Sequence, residues 1–240
     1  MRIGTVKQIW RFPVKSMAGE QLSSCTVGGG GIAGDRGWAI REETSGKLAT
    51  GTRYPLLMQC AARYRGQPVN GTIQHVEMRL PDGVVVGSDA PDVNMRLTEL
   101  LAKPVSLSPL QQDSNAEHYF DVTPIHVLTT ATLAEMSRLN PEALWDVRRF
   151  RPNFFVETEP LFKGLVEFEW IGRTLRVGEV EVRCELRTER CAMAMNAQAE
   201  FPKDESILRS IRDVADMNLG IYARVAASGT VRVGDVVDLI

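Results

Sequence analysis

The chain has 240 residues, 44% of them hydrophobic, with 28 Lys and Arg against 30 Asp and Glu for a net charge of −2. Such a length can bury a sizeable core in one large β domain or two small ones, and the near-neutral charge excludes a general nucleic-acid binder. No apolar run approaches the ~20 residues of a membrane helix, and Arg2, Lys7 and Arg11 interrupt any signal-peptide core, so no membrane partner is expected.

Residues 5–12 alternate as a strand that Pro13 stops, which leaves Lys15 and Ser16 in the following turn. A lysine and a hydroxyl so placed can meet a phosphate, although a turn lysine on its own is ordinarily just solvated. Residues 20–27 form the next strand and glycines 28–31 a sharp bend, with no P-loop order around them. A third strand is entered at 34–41, where Arg36 beside Asp35 suggests a plain ion pair, and a turn at 43–46 leads to 47–50. Segments 56–65, 72–80 and 84–86 extend the meander, and 91–101 is the first helix, with Met95, Leu97, Leu100 and Leu101 inward.

A polar loop at 111–115 precedes a strand over 119–128 and a helix from Thr129 or Thr130 to Leu139. His126, inside an apolar run, reads as hydrogen-bonded core. Arg148, Arg149 and Arg151 then crowd four positions; on a strand Arg149 and Arg151 would share a face and need an anion between them. Residues 167–178 alternate into a strand beginning at 180. Cys191 follows where that strand ends in a polar turn flanked by Arg187 and Arg190, whose charges would favour thiolate. Against this, cysteine behaves mostly as a small buried hydrophobe. A helix starts at Asp204 or Ser206 with Ile207, Leu208, Ile211, Val214 and Ala215 on one face, and strands at 222–225, 230–233 and 236–240 close the chain. The four cysteines, Cys25, Cys60, Cys184 and Cys191, show no C-x-x-C pair or zinc spacing, so free thiols in a reducing cytoplasm are expected. Many short strands with few peripheral helices predict a mainly β, barrel-like fold, with a seam at 111–117 dividing 1–110 from 111–240.

Taken together, Phe12-Pro13-Val14-Lys15-Ser16, Gly34-Asp35-Arg36-Gly37-Trp38, Arg149-Phe150-Arg151-Pro152-Asn153, Glu189-Arg190-Cys191 and the 229–235 stretch resemble the MOSC family, named for the carboxy-terminal domain of molybdenum cofactor sulfurase. The likeness is to the branch carrying an MOSC amino-terminal β-barrel, and it runs over nearly the whole chain. It implies a β-barrel that binds molybdopterin with molybdenum, takes one protein thiolate on the metal, and reduces N-hydroxylated compounds. By the same resemblance Cys191 is the metal ligand, Lys15 and Ser16 meet the cofactor phosphate, Arg36 and Arg151 grip the pterin, and Asn153, Thr123 and Asp121 fill the remaining polar positions. Relatives often carry a second cysteine three residues before the ligand; here that place is Thr188.

A soft thiolate suits molybdenum, and separated cations suit an anionic phosphate, so residue chemistry and resemblance agree. Two other readings stay open: a sulfur carrier with a persulfide on Cys191, and a barrel that binds pterin or another anion without catalysis. No Cys₄ cluster spacing, G-x-G-x-x-G turn or haem signature is present, so reduction would need electrons from a separate flavin or iron–sulfur protein.

Overall fold

Ten alternating residues, β1 (Arg2–Arg11), sit at the centre of the architecture because three other strands pair with them. The computed structural model describes residues 1–68, 73–110 and 119–240. After β1 come β2 (Glu20–Leu22), β3 (Ser24–Gly28), β4 (Gly31–Ile32), β5 (Trp38–Glu42), β6 (Ala61–Tyr64), β7 (Val76–Arg79), β8 (Val85–Gly87), α1 (Val93–Leu101) and β9 (Val105–Pro109). The second half carries β10 (Ile125–Thr129), α2 (Thr130–Leu139), β11 (Phe154–Thr158), β12 (Thr174–Val177), β13 (Val180–Glu189), α3 (Glu205–Ala215), β14 (Asn218–Ala227), β15 (Gly229–Arg232) and β16 (Val236–Leu239).

The main sheet runs β11-β10-β14-β13-β12-β16-β1-β2, and a further pairing of β1 with β11 closes its first seven strands into a barrel. Val6 opposes Val156 on one side of β1 and Gly4 opposes Val237 on the other, antiparallel both times, while β10 and β11 run parallel. Gly4 is required at the closure, since a Cβ there would strike the Glu157 carbonyl. The interior is filled by β-branched and aromatic side chains, among them Ile3, Val6, Ile9, Val127, Phe154, Val156, Val182 and Val237. A second core around Trp38, Ile40, Leu57, Met78 and Leu97 is built by β5–β9 and α1. A third packs α2 and α3 on the barrel wall through Met136, Ile207, Ile211 and Leu219. The mainly β, barrel-based architecture expected from the sequence is thus present.

Several elements differ from their sequence expectation for identifiable reasons. The strand expected over 20–27 breaks at Ser23 because β2 pairs with β1 whereas β3 pairs with β15 and β4. Within 56–65 only β6 is extended; Pro55 opens a 3₁₀ turn, Pro55–Gln59, where its fixed φ fits and its missing N–H costs nothing. Of 119–128, only 125 onward is strand. On α1, Met95 faces solvent, and α3 exposes Val214, because the apolar stripes are narrower than read. Helix α2 begins as expected, with the Thr129 side chain accepting from Thr132 N. The polar loop at 111–115, the seam at 111–117 and Thr72 lie outside the described residues.

Residues Val166–Trp170 form a 3₁₀ turn, not the expected strand, and bury Glu167 completely. Its Oε2 accepts from Thr129 Oγ1 at 2.9 Å and Thr132 Oγ1 at 2.5 Å, while Oε1 has no partner. Burial raises the carboxyl's pKa above its ordinary value against the opposing effect of the threonine hydroxyls. A raised folded-state pKa gives stability that is fully present below the unfolded value and is lost as pH rises through the folded one. Glu167→Gln keeps an acceptor for both threonines and removes the charge. Its Tm should therefore exceed wild type by about 2–4 °C at pH 8, roughly 1 kcal/mol, with the gap closing towards pH 5 in a thermal-melt series.

Candidate functional site

At the end of β13 the chain passes Glu189 and Arg190, then turns at Cys191 into a single 3₁₀ turn, Ala192–Ala194. Cys191 is exposed, whereas Cys25, Cys60 and Cys184 are buried. Burial pushes each of those three thiols up to about 12, which leaves them inert. Cys191 stands at a cleft with about 540 Å³ of empty space, part of it open to solvent, that also presents Lys15, Ser16, Arg36, Asp121, Arg151, Arg190, His126 and Tyr222. The structure thus brings together six of the eight predicted site residues: Lys15, Ser16, Arg36, Asp121, Arg151 and Cys191.

The basic side chains arrive through unusual backbone. Among the described residues six non-glycine positions have positive φ, and three of them, Ser16 (70°), Arg36 (51°) and Arg151 (56°), line this one cleft. Left-handed backbone at residues with a Cβ is costly and persists where surrounding structure enforces it, so its clustering marks the cleft as a built site. The enforcement is visible: Arg36 N donates to Phe12 O at 2.7 Å, Lys15 N to Trp38 O at 2.9 Å, and Gly51 N to Ser16 Oγ at 2.9 Å. The Phe12 ring lies beneath two guanidinium groups, Arg36 at 5.0 Å and Arg151 at 4.1 Å from its centroid.

The counter-charges are unevenly shared. Lys15 Nζ donates to Asp121 Oδ1 at 2.6 Å and to Tyr119 O at 2.8 Å, and Arg36 pairs with Asp35. Desolvation would raise the Asp121 carboxyl, but Lys15, then Arg36 and Arg151, hold it below its ordinary value. Arg151 and Arg190 have no carboxylate within ion-pair distance among the described residues. Arg151 donates to Met17 O and Arg190 Nη2 to Phe150 O at 2.8 Å, while Arg190 Nε is buried without a partner. Burial, then repulsion from Arg36, pushes Arg151 down to about 9, which leaves it charged at neutral pH; burial likewise lowers Arg190. Two half-buried cations without carboxylate partners form a site that an anionic ligand would complete.

Thr123 and Asn153 do not line the cleft. Thr123 is buried with its hydroxyl 3.4 Å from Ile125 O. Asn153, also buried, donates to Asp35 Oδ2 at 3.0 Å and to Trp10 O at 3.3 Å and accepts from His126 N at 3.0 Å. It therefore locks Asp35, which in turn holds Arg36 and, through Oδ1, the Phe12 N–H at 2.7 Å. Arg149 corrects the same-face expectation: alternation requires extended backbone, but Val147–Arg149 is a 3₁₀ turn and Arg151 is left-handed. Arg149 points into the protein and donates to the carbonyls of Leu144, Asn196 and Pro202, bracing the segment after Cys191. Arg187 leaves the site as well and lies 4.4 Å over the Phe168 ring. His126 is the buried core residue expected, its Nδ1 3.4 Å from Arg151 O. Burial, then the Arg190 charge, holds it neutral, well below the ordinary histidine range.

A metal here would draw little from the protein besides sulfur, since no group of three or more His, Cys, Asp or Glu is gathered among the described residues. The MOSC domain profile matches residues 114–238, and the profile of the MOSC N-terminal beta barrel domain matches 3–123. The chain belongs to the MOSC family. Over 98% of its length it is 25% identical to mitochondrial amidoxime reducing component 2 from Bos taurus, covering 82% of that protein. The crystal structure of the YUAD protein from Bacillus subtilis superposes with a TM-score of 0.53 over all of this chain and 96% of that one, at 14% identity, a likeness of fold. The MOSC family is associated with the molybdenum cofactor and includes molybdenum-dependent reductases. No helix among the described residues of this MOSC protein is long and apolar enough to cross a membrane.

Arg190 and Phe12 carry more of the site than sequence reading gave them, while Asn153 acts on it indirectly through Asp35. Arg190 had a signal: an arginine directly before an exposed cysteine at a strand end. Phe12 read only as the last strand residue, and nothing local in the sequence shows that two arginines more than a hundred residues apart meet over its ring.

Proposed function

We propose that this MOSC protein is a molybdenum-cofactor-dependent reductase of N-hydroxylated compounds, such as N-hydroxylated bases and amidoximes. The observation that carries the reading is an exposed Cys191 beside a cleft in which the half-buried Arg151 and Arg190 have no carboxylate partner among the described residues. Those residues fit the cofactor: its phosphate is an anion for the unpaired guanidinium groups, and a thiolate is the soft ligand molybdenum takes. Lys15, Ser16, Arg36 and Arg151 would hold the phosphate and pterin, and Cys191 would bind the metal. When bound, the cofactor supplies the two-electron chemistry that removes oxygen from an N–OH group. The protein's own part is to fix orientation. Asp35 and Asn153 immobilise Arg36, the Phe12 ring spaces the two guanidinium groups, and Arg149 braces the turn after Cys191. A persulfide carrier finds less support, because Cys184 is buried and position 188 is a buried threonine, so Cys191 has no neighbouring thiol. Electrons would come from a separate flavin or iron–sulfur partner.

The test is molybdenum analysis of protein made in a cofactor-replete host, followed by turnover assays. Reduced viologen should drive reduction of hydroxylaminopurine or an amidoxime, and NADH or NADPH alone should not. Metal-free protein from such a host, or turnover with NADH alone, would refute this assignment.

A further inference from the structure

A side chain from the amino-terminal half reaches the thiol. Thr52 Oγ1 lies 3.5 Å from Cys191 Sγ, within hydrogen-bond range for sulfur, with the hydroxyl as donor. The turn that carries it is pinned at both ends of the site. Gly51 N donates to Ser16 Oγ at 2.9 Å, on the anion-binding side, and Asn196 Nδ2 donates to Gly51 O at 3.4 Å, on the segment that follows Cys191. Within the turn, Tyr54 N donates to Thr50 O at 2.8 Å. Gly51 is packed closely, a Cβ there sitting 2.9 Å from Met193 Cε and from Met58 Cγ, so the turn lies against the segment that follows Cys191.

We propose that Thr52 is a positioning residue for Cys191, aiming Sγ into the cleft by donating a hydrogen bond to it. A donor on a ligating thiolate withdraws electron density from sulfur, and such bonds orient the ligand and raise the potential of the metal it binds. The geometry stands without a metal; the effect on potential rests on the function proposed above.

Three variants test it: T52V, which keeps the shape and removes the hydroxyl, T52S, which keeps the hydroxyl, and C191A. In metal-free protein, urea unfolding of T52V, C191A and T52V/C191A should be non-additive. T52V should shift the unfolding equilibrium roughly two- to fivefold with Cys191 present and hardly at all in the C191A background. Additive effects overturn the contact. In molybdenum-loaded protein, T52V should move the sulfur-to-metal charge-transfer band to longer wavelength, lower the midpoint potential and reduce kcat with KM unchanged, and T52S should restore all three. A T52V protein with wild-type band and potential overturns the positioning role. A chain that takes up no molybdenum would remove the function proposed above and leave the unfolding cycle to decide Thr52.

Discussion

Cys191→Ser should give a folded protein with no detectable reductase activity. Serine is a harder and far less acidic ligand than cysteine, so a metal that draws its one protein bond from this position loses it. Because Cys191 is exposed, the cost to folding should stay within about 0.5 kcal/mol, a shift in Tm of ~2 °C or less. Full activity in the variant would overturn the assignment. The other cysteines give the reverse pattern. The sequence alone suggests that Cys60→Ser and Cys184→Ser behave as wild type, but both side chains are buried at 0% and 1% exposure. A buried hydroxyl should cost about 1–3 kcal/mol while activity per folded molecule is kept. Thermal melts beside steady-state assays separate the two patterns.

Arg151→Ala should abolish cofactor retention while leaving the fold intact. The guanidinium group is half-buried beside Arg36 with no carboxylate of its own, so its removal relieves desolvation and repulsion as it loses the Met17 carbonyl and the Phe12 ring. The net change in Tm of the cofactor-free protein should be small. Binding should suffer far more, because one charge-assisted bond to phosphate contributes about 1.5–3 kcal/mol, roughly 10- to 150-fold in affinity. Wild-type protein should be stabilised by added pyrophosphate, and Arg151→Ala should lose that response together with its molybdenum content. Arg190→Gln, which removes the second unpaired cation, should weaken it in the same direction. If Arg151→Ala lowers Tm by many degrees yet keeps its metal, the side chain is a structural brace and the anion site is wrongly placed.

Local signals accounted for much of this molecule. Alternation placed β1, β13 and β14, Thr129 and Asp204 capped α2 and α3 as their side chains allow, and Pro13 left Lys15 and Ser16 in a turn at the cleft. What local signals could not give is where the chain abandons regular geometry. The left-handed residues Ser16, Arg36 and Arg151 break any periodic rule, which is why Arg149 and Arg151 were expected on one face and instead diverge. Thr52 was equally invisible, since its relation to Cys191 spans 139 positions and depends on both halves being folded.

The barrel's closure also orders events in time. β1 leaves the ribosome long before its partners at Phe154–Thr158 and Val236–Leu239 exist, and with them the barrel that sets the bed of the cleft. Until then this ten-residue strand has only the short β2 beside Ile9–Arg11, and the rest of its length must be shielded from pairing with another nascent chain. Ribosome-bound holding factors would therefore matter most for this protein during synthesis of its middle third, before β11 arrives.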